Sequence, residues 1–214
     1  MLEAFHTPGK IEAGCDEAGR GCLAGPVVAA AVVLPPDFYH PLLNDSKKIS
    51  EKHRDLLRTV IEKEALYWAV SQVEAAEIDQ INILKASFAG MHRALEQLPV
   101  QPDLILVDGN RFPAFRNIPY HCIVKGDGKF ASIAAASILA KTWRDERMKQ
   151  LHQEFPAYNW LQNKGYPTIE HRQAIALHGP SPWHRLSFQL LPEDGQLKLP
   201  FDESNTLIPP CKNQ

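Results

Sequence analysis

Three carboxylates stand where short apolar runs end. Asp16 and Glu17 close the stretch "IEAGCDE", and Asp108 closes "LILVD". Charges at the edge of a core are costly unless they are paired or bound to a cation. Hard carboxylate oxygens on neighbouring strand ends suit Mg²⁺ or Mn²⁺. Alternation along a strand sends Asp16 and Glu17 to opposite faces, so both reach one ion only where the strand frays. Asp127, between Gly126 and Gly128 and ahead of a long helical stretch, fits a helix-start charge and equally a metal ligand. Asp145 is the rival acid. It lies four residues from both Lys141 and Lys149, which reads as solvated pairing on a helix face.

The acid pair runs into Gly19, Arg20 and Gly21. Glycines let a backbone approach a ligand closely, and an arginine between them can meet phosphate. A tight turn with an exposed arginine fits the same residues. There is no phosphate-loop or dinucleotide signature. Tyr166, in the loop "NKGYPT", offers a stacking surface for a sugar or base, or a cover over a helix end. His171, His178 and His184 have spacings that match no metal motif. Cys15, Cys22, Cys122 and Cys211 form no C-x-x-C pair and read as free thiols.

The elements that must position these groups follow from patterning. Strands are predicted over 11–17, 26–34, 66–73, 103–110 and 120–125, where β-branched and aromatic residues gather between turn signals. Helices are predicted over 51–64, through the stretch 73–98, from Gly126 to about Phe155, and over 168–179. The second half of the long helix is charged and is expected to project into solvent. The order β-β-α-β-α-β-β-α-α, with no room for a crossover in the first hairpin, predicts antiparallel strands one to three and parallel addition of four and five. That is an α/β fold with a mixed sheet. The residues from about 191 onward read as a loosely attached tail.

Net charge is -2, so nucleic-acid binding would rest on local patches such as 46–54 and 140–149. No apolar run approaches the ~20 residues of a membrane helix. The start "MLEAFHTPGK" lacks a signal-peptide pattern, so a cytoplasmic location and no membrane contact are expected; a monomer is expected as well.

Several segments together resemble one family. "DEAGRGCLAGPVVAAAVVLP", "LNDSKKIS", "LILVDGN", "KGDGKFASIAAASILAKTWRD", "NKGYPTIEH" and "HGPSPWHRLSF" are similar, in order and spacing, to bacterial type 2 ribonucleases H (ribonuclease HII), over roughly residues 10–190. The resemblance implies a ribonuclease H-like fold: a five-stranded mixed sheet with flanking helices and a C-terminal helical segment. It implies endonucleolytic hydrolysis of the RNA strand in RNA–DNA hybrids, and cutting 5′ of single ribonucleotides in duplex DNA, by a two-metal mechanism leaving 3′-OH and 5′-phosphate ends. By motif, the acids are Asp16, Glu17, Asp108 and Asp127. Gly19, Arg20 and Gly21 would contact the ribose 2′-OH and adjoining backbone, and Tyr166 would stack on the neighbouring deoxyribose. Asn44, Lys47, Lys48 and the helix from Ala131 would contact phosphates. The segment "QLKLPF" (196–201) is a faint candidate for a sliding-clamp contact. Another metal-dependent nuclease on the same fold and a catalytically dead hybrid-binding module are the rival readings.

Overall fold

The stretch Val27–Val33 (β2) carries only valine and alanine and is buried along its whole length. A strand this apolar needs cover on both faces and partners on both edges. A computed structural model of the chain, describing residues 2–44, 46 and 49–192, supplies them. β2 pairs antiparallel with Glu12–Ala18 (β1) and with Tyr67–Val73 (β3). Leu104–Asp108 (β4) joins β1 in parallel, and Tyr120–Ile123 (β5) joins β4 in parallel. The sheet order is β3-β2-β1-β4-β5. This is the expected α/β mixed sheet, with the expected strand directions.

Period-2 alternation divides the core into two layers. Ala13, Cys15, Ala29 and Ala31 face Met91, Ala94 and Leu95 of Ile83–Glu96 (α3, numbered with the other helices below). Ala30 and Val32 face the opposite side, against Leu57 and Ile61 of Glu51–Glu64 (α1) and the alanine-rich half of Ala131–Glu154 (α4). Ser50 caps α1 by accepting the His53 N–H. Thr168 caps Ile169–His178 (α6) by accepting the His171 N–H. Between α1 and α4 the chain also forms Ala75–Ile81 (α2), and between α4 and α6 the single turn Trp160–Asn163 (α5).

α4 and β1 meet backbone to backbone. A Cβ placed on Gly14 would lie 2.2 Å from the Ser132 carbonyl carbon. The two backbones therefore touch, and Ser132, Ala134, Ala135, Ala136 and Ser137 keep α4 thin enough to allow it.

Two expectations are corrected. The stretch 73–98 is not one helix. Asn82 adopts a left-handed φ of 68° and splits it into α2 and α3, its side-chain oxygen accepting the N–H groups of Leu84 and Lys85. The charged half of α4 does not project into solvent. Thr142, Arg144, Asp145, Met148 and Leu151 are buried, because α5, α6 and the segment around Trp183 fold over it through Tyr158, Trp160 and Ile175. Asp145 is accordingly not a solvated helix charge: it is buried and bonded to Lys141 at 2.7 Å. Cys15 and Cys22 are buried free thiols and Cys122 is a partly buried one. Lys47, Lys48, Cys211, "QLKLPF" and the tail from 193 lie outside the described residues. No helix among the described residues is long and apolar enough to cross a membrane.

Gly14→Ala should force α4 off β1 and cost about 1–3 kcal/mol, the scale of overpacking a rigid contact. The urea midpoint is the measurement, and a change within error would show that the helix yields.

Candidate active site

Register decides which acids meet. Gly14 faces α4, so Asp16, two residues on, faces it as well. On β4, Leu104 and Leu106 pack against Ile133 of α4, so Asp108 shares that side. Cys15 pairs with Val107 in the parallel ladder, which sets the next residues, Asp16 and Asp108, side by side. Asp127 arrives from the single 3-10 turn Gly126–Gly128 that precedes α4. Asp108 fixes this turn by accepting the Gly126 N–H at 2.8 Å.

One carboxylate oxygen from each of Asp16, Asp108 and Asp127 lies within 4.8 Å of the other two. Asp16 and Asp127 are buried. Burial first, then the charges of Glu17 and Asp108, push the Asp16 carboxyl well above the usual carboxylate range, although Ser137 and the Glu17 N–H favour its ionised form. Three converging carboxylates with no alternative ligand chemistry among them fit a hard divalent cation. Glu17 stands at the edge of the group and pairs with Arg20 at 3.1 Å.

Above the acids is a cleft of about 380 Å³ lined by Asp16, Glu17, the turn from Ala18 to Gly21, Asp108 and Tyr166. Ser46, Arg54, Ser137 and Lys141 complete the lining. None of these four was named individually from the sequence, although Ser46 and Arg54 fall within the basic segment 46–54, Lys141 within 140–149, and Ser137 and Lys141 on the helix from Ala131. Asn44 lies outside this cleft, in a neighbouring groove with Gly128 and Ala131 at the start of α4. Asp145 takes no part in the acid group.

Tyr166 is 41 % exposed, and its ring centre lies 5.7 Å from the Lys141 ammonium. Its backbone is anchored by two buried histidines. His184 Nδ1 accepts the Ser181 N–H at 2.9 Å, so its neutral-ring proton sits on Nε2. That proton points at His171 Nε2, 3.1 Å away. His171 Nε2 also accepts from Trp160 Nε1 at 3.0 Å, and His171 Nδ1 donates to the Tyr166 carbonyl at 2.9 Å. Every donor has an acceptor only while both rings are neutral. Burial lowers both histidines, and the neighbouring His171 helps bring His184 down to about 4.

Two buried arginines, also unforeseen, hold the other side. Arg144 donates to the carbonyls of Pro26, Lys164 and Ala24. Arg185 donates to those of Gly25 and Arg20; burial and then the charge of Arg144 lower it to about 10. One signal existed: Arg144 continues the buried stripe Ala136, Ala140, Met148 at four-residue spacing.

Carboxylates from the parallel strands β1 and β4 and from the turn before α4, beneath a polar cleft on a mixed sheet, define an α/β protein with a site suited to a divalent cation. A family model described as ribonuclease HII matches residues 13–191. Ribonuclease HII of Bacteroides thetaiotaomicron is 62% identical over 201 residues, covering 94% of this chain and 100% of that protein. The solved ribonuclease H2 of Pyrococcus horikoshii superposes with a TM-score of 0.69 at 26% identity, covering 84% of this chain and 94% of that one. A ribonuclease HII of Archaeoglobus fulgidus, solved in complex with PCNA, gives 0.68 at 25% identity over 84% and 95%. The chain belongs to the ribonuclease HII family, and its enzyme class is that of a metal-dependent ribonuclease.

Two measurements test the electrostatics of this site. In metal-free buffer at pH 8, Asp16→Asn should melt higher than wild type, by about 2–4 °C per ~1 kcal/mol relieved. Added Mg²⁺ should raise the melting temperature of wild type more than that of the variant; a lower metal-free value for Asp16→Asn would contradict the burden assigned to this carboxylate.

The histidine pair acts in the opposite sense. Its folded pKa values lie below the ordinary 6.5, so the unfolded chain takes up protons first as pH falls. The stability it contributes is complete above about 6.5 and is lost as pH falls toward about 4. His184→Asn should flatten the slope of urea stability between pH 7 and pH 5 relative to wild type. Parallel slopes would rule the pair out as the source.

Proposed function

We propose that the chain hydrolyses the RNA strand of RNA–DNA hybrids and cuts 5′ of single ribonucleotides embedded in duplex DNA, leaving 3′-OH and 5′-phosphate ends. The observation that carries this reading is the convergence of the carboxylates, the Gly19–Gly21 turn and Tyr166 on one cleft. Asp16, Glu17, Asp108 and Asp127 would hold two divalent ions, Mg²⁺ or Mn²⁺. When bound, such ions supply Lewis acidity, neutralising charge that builds on the phosphate and making water a better nucleophile.

The chain's own groups do the rest. Asp108 keeps the Asp127 turn in place through the Gly126 N–H. Glu17 holds Arg20 along the cleft wall, where its guanidinium can face a phosphate. Backbone at Gly19 and Gly21 meets the 2′-OH, which is both donor and acceptor and distinguishes ribose from deoxyribose. The half-exposed Tyr166 ring lies against the next sugar, where a deoxyribose fits more closely than a ribose. Lys141 and Arg54 add positive charge to a chain of net charge -2, and Asn44, Lys47 and Lys48 would add phosphate contacts.

Residues 1–190 are read as one catalytic domain and 191–214 as an appended tail. The relative solved with PCNA supports a sliding-clamp contact through the tail segment 196–201. A cytoplasmic, monomeric enzyme acting away from membranes completes the reading.

Single-turnover cleavage of duplex DNA containing one ribonucleotide tests it. Asp108→Asn should lose roughly a hundredfold or more, the scale of removing one electrostatic group at a charged transition state, while hybrid binding persists. Replacing the single ribose by 2′-deoxyribose should cost at least about one to two decades, since an unpaired hydrogen-bonding group costs about 1–3 kcal/mol. Undiminished cutting of all-DNA duplex would remove the ribonuclease assignment.

A further inference from the structure

Arg144 sits where the two sugar-reading elements meet, and its contacts are unusual for a core residue. It is fully buried on α4. Its three polar bonds all go to backbone carbonyls rather than to a carboxylate: Nε to Pro26 at 3.0 Å, Nη2 to Ala24 at 3.1 Å and Nη1 to Lys164 at 2.8 Å. Pro26 and Ala24 continue the Gly19–Gly21 turn, whereas Lys164 opens the Tyr166 loop. Gly19 rests directly on the guanidinium: a Cβ there would come within 2.0 Å of Nε. The Tyr166 ring lies 5.9 Å from the guanidinium carbon.

The two loops also touch each other. The Leu23 N–H donates to the Gly165 carbonyl at 2.8 Å. Gly165, at φ +80°, has room for no Cβ, which would fall 2.6 Å from the Ala24 carbonyl. Lys164 is held in the left-handed region at φ 49°, a conformation that costs a lysine energy and needs surrounding contacts to persist. An arginine fork, planar and with donors in fixed directions, is suited to setting the distance between carbonyls on separate loops; a lysine is not. The cost of burying its charge among neutral carbonyls is difficult to account for by packing alone, since an apolar residue would fill the same space.

We propose that Arg144 is a specificity-determining positioning residue, which locks the glycine–arginine–glycine turn and the Tyr166 loop at a set separation so that they read two successive sugars as one gauge. This rests on the reading that the turn meets the ribose and Tyr166 the next sugar. A residue that merely supported the core would, when weakened, reduce cleavage of all substrates alike. A spacer between two readers alters the preference between substrates and makes the readers depend on one another.

The experiment is a coupling cycle. Single-turnover rates are measured on duplex DNA with one ribonucleotide and on a long RNA–DNA hybrid. The enzymes are wild type, Tyr166→Ala, Arg144→Lys, Gly165→Ala and the two double variants carrying Tyr166→Ala. Arg144→Lys keeps the charge but loses the fork. Gly165→Ala wedges the loops apart and leaves Arg144 in place, so either folded variant decides the matter. In wild type, Tyr166→Ala should shift the ratio of the two rates against the single-ribonucleotide substrate by about tenfold or more, as expected for loss of a stacked contact. Arg144→Lys or Gly165→Ala should shift the ratio the same way, and adding Tyr166→Ala should then change it by less than about threefold. A wild-type ratio in these variants, with the full effect of Tyr166→Ala retained, overturns the role of Arg144 and leaves the sugar-reading assignment intact. No change of ratio from Tyr166→Ala in the wild-type background overturns that assignment itself, and the gauge with it.

Discussion

The contact of α4 with β1 at Gly14 governs the rest of the molecule. Two backbones meet with no side chain between them. A helix that close to a strand must be built of alanine and serine, as Ser132 to Ala140 largely is. It also fixes the side of β1 that carries Asp16, brings Ser137 beside that carboxylate, and presents the turn bearing Asp127 to the ends of β1 and β4. The small residues of the first half of α4 therefore act as a ruler for the acid group, not as filler. Dense packing here serves the electrostatics, because three like charges held by flexible supports would move apart.

The second half of α4 has a different task. Its first half sets the acids, whereas Arg144 binds the carbonyls of Ala24, Pro26 and Lys164 and so ties the turn side of the cleft to the Tyr166 loop. Arg185, and His171 on α6, add bonds to the carbonyls of Arg20 and Tyr166. One helix thus supports both the group that would do the chemistry and the loops that would choose where it happens.

Much of this was legible in the sequence, and what was not has physical reasons. Apolar runs ending in Asp16, Glu17 and Asp108 mark strand ends, since a carboxylate cannot sit deeper in a sheet without a partner. The uncharged valine and alanine run of β2 marks a strand. The short link between β1 and β2 foretells a hairpin. Period-2 alternation also explains why Glu17 stands beside the acid group rather than within it. The charged half of α4 misleads because charge is read as exposure, and an arginine satisfied wholly by carbonyls leaves no acidic partner in the sequence to betray it. Asn82 misleads because a helix break by a left-handed asparagine leaves the apolar spacing on both sides nearly continuous. His171 and His184 show no metal spacing because they bind one another, and His171 a backbone carbonyl.

The parallel pairing of β1 with β4 has a consequence for how the molecule comes into being. Asp16 lies on a hairpin whose partners are near in sequence, Gly14 with Val32, Asp16 with Ala30 and Ala18 with Val28. Its companions arrive only with residues 104–108 and 126–128, across a loop that is slow to close. Before β4 docks, the acid beside Asp16 is its own neighbour Glu17; the charge of Asp108 is added only when β4 pairs with β1. The docking that completes the acid group is therefore also the step that adds to its electrostatic burden.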